Sequence, residues 1–314
     1  MKIYNEIGNN IAKTWGIMLG FFLMVIAIGF IAAQYFGSPT ILYGAVLFSI
    51  VMNITSYWFS DKIVLASTRA KPIDQNDPQQ KEVYRIVENL AITAGLPMPR
   101  VYVVEDPSPN AFATGRDKNH AVVAVTTGIL AILDRSELEG VLAHELGHVG
   151  NRDILVSTVA VILAGFVTIL ADMFLRMGQF GMGARDREGR AGALFLILAL
   201  VAAILAPIAA NLMKLAVSRK RELLADASGA LLTRYPEALA SALLKISGNK
   251  TPMKHVGHAT AHLFISDPLK VDGGLKKTSW FAGLFMTHPP VEQRVAALRG
   301  MNVDELIRQL NAEK

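Results

Sequence analysis

Residues 138–153 read LEGVLAHELGHVGNRD, and the reading of the fold turns on the five residues His144-Glu145-Leu146-Gly147-His148 within them. Ser136 with Glu139 three residues on has the pattern of a capping box, which predicts a helix starting there. Leu138, Val141, Leu142, Leu146 and Val149 then recur at helical spacing. Positions i and i+4 of a helix share a face, so His144 and His148 present two imidazoles to one point. Zn2+ takes nitrogen ligands in tetrahedral geometry and suits that point, and Glu145, beside the first imidazole, can hold a water and take its proton. Read alone, the same five residues also fit an ordinary turn of surface helix.

Composition bounds the rest. Of the 314 residues, 52% are hydrophobic and only 18% charged, which points to membrane spans. There is no cysteine, so disulfides and thiolate zinc sites are excluded and any zinc must be held by His and carboxylate. The net charge of +5 comes with no long basic run alternating with aromatics, which argues against nucleic-acid binding.

Thr14–Ser60 contains no charged residue and is broken once, by the turn-like Gly37-Ser38-Pro39-Thr40. Each half has about the 20 residues needed to cross a bilayer core. The first half is too long for a signal-peptide core, and a second span follows at once. A hairpin with both ends in the cytoplasm fits, since the turn is uncharged while Lys62, Arg69 and Lys71 follow the second span.

From Asp61 to Asp153 the composition is that of a soluble protein. Pro78–Ala94 carries a helical stripe of Val83, Ile86, Val87 and Leu90, with Gly95 as its stop. Three strand-like runs follow at Arg100–Glu105, Asn110–Gly115 and His120–Thr126, the last two joined by a turn at residues 116–119. If Asn110-Ala111-Phe112-Ala113 forms an exposed sheet edge, it can pair with an extended polypeptide substrate and hold it across the metal. A plain structural strand fits those residues equally well.

Ile154–Ala171 is a third apolar run and Ala191–Met213, containing Pro207, a fourth. Two crossings return the chain to the side it left, so a ligand after the fourth run can still meet the histidines. The intervening loop carries Arg176, Arg185, Arg187 and Arg190, and a full crossing places it outside, against the positive-inside rule. Asp172 is costly in lipid, and the third run is near the lower length limit for a span. The pair either crosses or dips in as a shallow hairpin; four spans is the expectation taken here.

After the fourth run, Glu222 and Asp226 stand one helical turn apart on one face. Alone, Arg221-Glu222-Leu223-Leu224-Ala225-Asp226 is an ordinary charged helix face. Beside two histidines, Glu222 completes a His2Glu set with one position left for water, and Asp226 can accept the free ring N–H of one histidine. The fold class expected is therefore a mainly α membrane protein. Four hydrophobic helices accompany a zincin-like α+β catalytic domain with a small sheet beside the motif helix. The parts are an N-terminal transmembrane hairpin (1–60), the first part of the catalytic domain (61–153), a second hydrophobic hairpin (154–217), and the second part of the catalytic domain (218–314).

His-Glu-Leu-Gly-His, the later Glu-Leu-Leu-Ala-Asp and Thr287-His288-Pro289-Pro290-Val291-Glu292-Gln293-Arg294 together resemble the HtpX-type membrane zinc metalloproteases. These are bacterial heat-shock relatives of the zinc-dependent CAAX prenyl endopeptidases. The likeness covers nearly the whole chain, including both N-terminal spans and Asn110–Gly115. It implies an inner-membrane protease facing the cytoplasm that degrades misfolded or damaged membrane proteins in stress and quality control. By that likeness His144, His148 and Glu222 hold one Zn2+ per chain, Glu145 is the base and Asp226 lies behind a ligand. His288 and Arg294 match the family's His-Pro-Pro-x-x-x-Arg near the active site, where His288 could hydrogen-bond the oxyanion. His255, His258 and His262 also fall at helical spacing, but they read better as partly exposed positions than as metal ligands.

The function expected is a zinc-dependent endopeptidase acting on polypeptides at the bilayer. A zinc-stabilised scaffold or chaperone with little hydrolytic activity is the alternative, although a scaffold has no need of Glu145. A transporter or zinc sensor fits less well, because the metal motifs lie outside the apolar runs.

Overall fold

The second helix wears its apolar side outward. In the computed structural model, which describes residues 2–180, 219–254, 256, 260–268 and 289–312, α1 (Lys2–Phe36) and α2 (Pro39–Trp58) form a hairpin. It turns through Gly37 at φ +66°, and Pro39 opens the second helix. The buried residues of α2 are Ser49, Asn53 and Ser56, while Leu47, Ile50, Val51, Ile54 and Trp58 are exposed. Water would reverse that pattern; a helix arranged this way needs an apolar surrounding, with its polar side chains turned to neighbouring helices. Among the described residues, Gly8–Gln34 and Pro39–Trp58 are long and apolar enough to cross a membrane. The expected fourth run, the loop beyond Phe180, His255, His258 and His288 lie outside the described residues.

Past Phe59 the chain makes a short helix α3 (Ser60–Thr68), then the two-residue strand β1 (Lys71–Pro72). Helix α4 (Pro78–Ala94) has the limits expected from sequence: the Asp77 side chain accepts from the Gln79 and Gln80 amides, and Gly95 takes the left-handed conformation at its end. Its buried stripe is the expected Val83, Ile86, Val87 and Leu90. Strands β2 (Arg100–Val104), β3 (Ala111–Thr114) and β4 (Val122–Thr126) complete a sheet of order β1-β2-β4-β3. β2 and β4 are parallel, and β3 pairs antiparallel with β4, which leaves β3 at one edge.

A short helix α5 (Thr127–Ile132) leads to α6 (Arg135–Gly150), which carries the His-Glu-x-x-His motif. Its capping box corrects the sequence reading. Asp134, not Ser136, is the N-cap: its side chain accepts from the Glu137 amide, and Glu137 reaches back to the Asp134 amide. The Ser136 hydroxyl donates to Asp134 instead. Val141, Leu142 and Leu146 are at most 1% exposed, so each contributes about 1.5–3 kcal/mol of apolar burial. Helices α4, α8 (Arg219–Thr233) and α9 (Pro236–Gly248) and the sheet surround α6. Helices α10 (Val291–Arg299) and α11 (Val303–Ala312) close this core.

At the end of α6 the chain bends by 83° into α7 (Asp153–Phe180), with Arg152 at φ +56° supplying the turn. Asp172 falls within α7. Val156, Val159 and Leu163 of α7 pack against Ile17 and Phe21 of α1, forming a second apolar core. The motif helix thus ends where a helix running beside the N-terminal hairpin begins. Joined across the bend, Arg135–Gly150 and Asp153–Ile169 make a third candidate span.

Candidate metal centre

Two helices position the three expected ligands. On α6, His144 and His148 stand one turn apart with their rings edge to face and their Nε2 atoms separated by 3.2 Å. On α8, Glu222 points between them, with Oε2 3.8 Å from His144 Nε2 and Oε1 3.5 Å from His148 Nε2. Two ligands about 2.05 Å from a tetrahedral zinc ion stand about 3.3 Å apart, a spacing the two histidine nitrogens already have, with Glu222 close by. The three offer ligand atoms all within 4.8 Å of one another, the one such group among the described residues. Close approach of the two helices depends on Gly229 of α8, where a β-carbon would lie 2.9 Å from the His144 backbone nitrogen.

Both imidazoles are held from behind by carboxylates. His144 Nδ1 lies 2.9 Å from Asp226 Oδ1. A carboxylate can only accept, so Nδ1 carries the proton and Nε2 turns its lone pair to the cluster. Arg294 of α10 grips Asp226 with two bonds, Nε to Oδ2 at 2.9 Å and Nη2 to Oδ1 at 2.7 Å. His148 Nδ1 lies 3.3 Å from Asp153 Oδ2 at the start of α7. Asp226 and Arg294 were expected at the site from the sequence. Asp153 was not: it read only as the end of a soluble stretch, and its position five residues after His148 was the available signal.

Electrostatics follow burial and pairing. Burial pushes the Glu145 carboxyl up, against the pull of His144 and His148. For His148, burial opposes protonation, but the facing carboxylates of Glu222 and Asp153 outweigh it and raise the imidazole to about 9. Asp226 is also buried, yet the Arg294 guanidinium holds its carboxyl well below the usual range. Arg294 is raised in turn: burial works against its charge, and Asp226 outweighs that.

Ala113 of β3 lines the cavity over the metal cluster, together with His262, Phe264 and Ser157. The edge of β3 is partly taken by the chain itself. Phe112 bridges Phe264, the Ile265 amide donates to the Ala111 carbonyl at 3.0 Å, and the two phenyl rings meet edge to face. Asn110 is fully buried, its side-chain amide donating to the Ser266 carbonyl at 2.9 Å. Of the sequence-predicted residues, Ala113 therefore stands at the metal site, whereas Asn110, Ala111 and Phe112 hold the segment that borders it. His262 lies in a short 3-10 turn, Thr260–Leu263, near the site and outside the three-ligand group.

A His2Glu set able to hold a metal ion, on helices beside an apolar hairpin, fits a membrane metalloprotease, and the chain's relatives are of that class. Residues 77–302 match the model of Peptidase family M48, and the chain belongs to that family. Among its relatives are proteins named "Protease HtpX homolog". That of Tropheryma whipplei (strain Twist) is 46% identical over 299 residues, 95% of this chain and 98% of the relative. That of Syntrophobacter fumaroxidans (strain DSM 10017 / MPOB) is 51% identical over 261 residues, 82% of this chain and 88% of the relative. Among solved structures, the crystal structure of S. mikatae Ste24p shares the fold at a TM-score of 0.50 and 19% identity. The match covers 90% of this chain and 62% of that one.

Proposed function

We propose that the protein is a zinc-dependent endopeptidase of the bacterial inner membrane, with a His2Glu site facing the cytoplasm, that cleaves misfolded or damaged membrane proteins. The observation that carries this reading is the convergence of His144, His148 and Glu222 with Glu145 beside them. Those three residues would hold one Zn2+ per chain, which would supply Lewis acidity and make water a nucleophile near neutral pH.

The chain's own residues do the rest. Glu145 takes the proton of the attacking water and hands it to the departing amine. Asp226, clamped by Arg294, keeps His144 in the tautomer that faces the cluster. His288, beyond the described residues, hydrogen-bonds the oxyanion. An extended substrate would run beside Ala113, next to the edge that Phe264 and Ile265 occupy.

The N-terminal hairpin and the helix after the 83° bend support a site close to the bilayer. Membrane polypeptides would then be the substrates within reach, and the basic residues that follow the hairpin favour the cytoplasmic side. The four-part organisation at 1–60, 61–153, 154–217 and 218–314 goes with this reading.

The test is co-reconstitution in vesicles with a destabilised membrane protein and its well-folded parent. Zinc-dependent fragments are expected from the destabilised form, cut in segments on the face that bears the protease domain. Equal cleavage of both forms, or cleavage only of water-soluble proteins, would refute the substrate class.

A further inference from the structure

The His148 side of the metal centre has a support that begins in the membrane hairpin. Asn10 of α1, at the start of the candidate span Gly8–Gln34, is 1% exposed. Its side-chain amide donates to Asp153 Oδ1 at 2.7 Å and to the Asn151 carbonyl at 3.1 Å. The other oxygen of Asp153 faces His148 Nδ1 at 3.3 Å, and Arg221 Nε lies 3.6 Å from Oδ1. Asp153 therefore has one oxygen for the histidine and one for groups that fix the carboxylate in place. Asn10 makes these two bonds at a cost, because its own carbonyl oxygen has no partner among the described residues.

We infer that Asp153 and Asn10 are positioning residues for the metal ligand His148, so that the first membrane helix is a structural part of the metal centre. Asp153 does for His148 what Asp226 does for His144: it accepts the Nδ1 proton and sets ring orientation. Asn10 does for Asp153 part of what Arg294 does for Asp226, but from α1 instead of from the protease domain. A shift of α1 relative to the bend at residues 151–152 would therefore be felt at His148.

A purely structural reading gives Asp153 a place in the first turn of α7, where a negative charge suits the helix end, and makes Asn10 a tie between helices. The two readings differ in what a substitution does to metal affinity. The inference rests on His148 being a zinc ligand, so His148→Ala is the control.

The experiment measures zinc affinity of the full-length protein in detergent by competition with a chromogenic chelator, alongside the melting temperature of the metal-free form. Asp153→Asn, similar in size and still able to serve a helix start, is expected to weaken zinc binding about 10- to 100-fold. Asn10→Ala is expected to weaken it roughly three- to tenfold by loosening a charge-assisted hydrogen bond. The double variant should be no weaker than Asp153→Asn alone, because Asn10 acts through Asp153.

Lower melting temperatures with unchanged zinc affinity in both variants would overturn the inference while leaving the protease reading intact. Unchanged affinity in His148→Ala would instead remove the ligand assignment on which both depend. If Asp153→Asn does not fold, Asn10→Ala decides the matter by the same readout.

Discussion

Gly229 lies against the backbone of His144 so closely that a β-carbon at 229 would sit 2.9 Å from the His144 nitrogen and 3.2 Å from its Cα. The carboxylate helix and the motif helix can bring Glu222 to the histidines because that side chain is missing. Gly229→Ala should therefore destabilise the protein by about 1–3 kcal/mol through overpacking. Alanine in an unobstructed helix interior would stabilise by roughly 0.5–1 kcal/mol, so the sign of the change is diagnostic. Thermal unfolding with metal analysis checks it, and bound zinc should fall with stability.

Arg294 is 2% exposed and makes two short bonds to a carboxylate that is itself buried. Removing one partner of such a pair costs about 3–5 kcal/mol, since the other charge is left without compensation. Arg294→Ala should accordingly lose stability on that scale and also lose zinc affinity through a misoriented His144. Acid tolerance should shrink too. A carboxyl held low, as Asp226 is by Arg294, gives stability that is present above its unfolded pKa of about 3.9 and lost as pH falls through its folded value. Acid unfolding of the variant should begin at higher pH than in the wild type.

Zinc binding should release protons at neutral pH. His148, raised to about 9 by Glu222 and Asp153 against the effect of burial, must become neutral to ligate a cation. Apparent zinc affinity should climb as pH rises toward about 9 and then level off. The sign for the metal-free protein is opposite: the stability from protonated His148 is fully present below its unfolded pKa of about 6.5 and lost as pH rises through about 9. Calorimetry in buffers of different ionisation enthalpy measures the protons released, and a value of zero at pH 7 would contradict the pairing.

The start of the motif helix offers a local check. Asp134→Ala should cost about 1 kcal/mol as the loss of an N-cap. Ser136→Ala should cost less, because the serine only donates to Asp134 at 2.7 Å. Thermal unfolding of the two variants ranks them, and the reverse order would restore the cap at Ser136.

That cap shows how sequence patterns reach their limit. Two candidate boxes, Asp134 with Glu137 and Ser136 with Glu139, stand two residues apart, and both fit a helix that starts here. Local pattern cannot separate them; burial does, since Glu137 is drawn inside by Ser241 and Lys245 of a helix a hundred residues away. Helix α4 was legible because its stripe and Gly95 are both local signals. His144, His148 and Glu145 were legible for the same reason. Glu222, Asp226 and Arg294 needed the first two ligands as a guide, together with family likeness for Arg294. Asp153 and Asn10 escaped notice because a single carboxylate after a helix and an asparagine at the head of an apolar run acquire meaning only when α1 and α7 pack side by side. The coverage of β3 by Phe264 and Ile265 was equally out of reach, being a contact between segments about 150 residues apart.

The most direct test of the proposed chemistry starts with full-length protein purified in detergent with a chelator and then freed of it. Zinc is titrated in while digestion of an unfolded test protein is followed, beside Glu145→Gln prepared identically. Digestion should appear in the wild type as zinc approaches one per chain, and Glu145→Gln should bind zinc equally well while losing nearly all hydrolysis. Full turnover by Glu145→Gln, or digestion by the wild type with no zinc bound, would contradict a metal-dependent reaction in which Glu145 carries the proton.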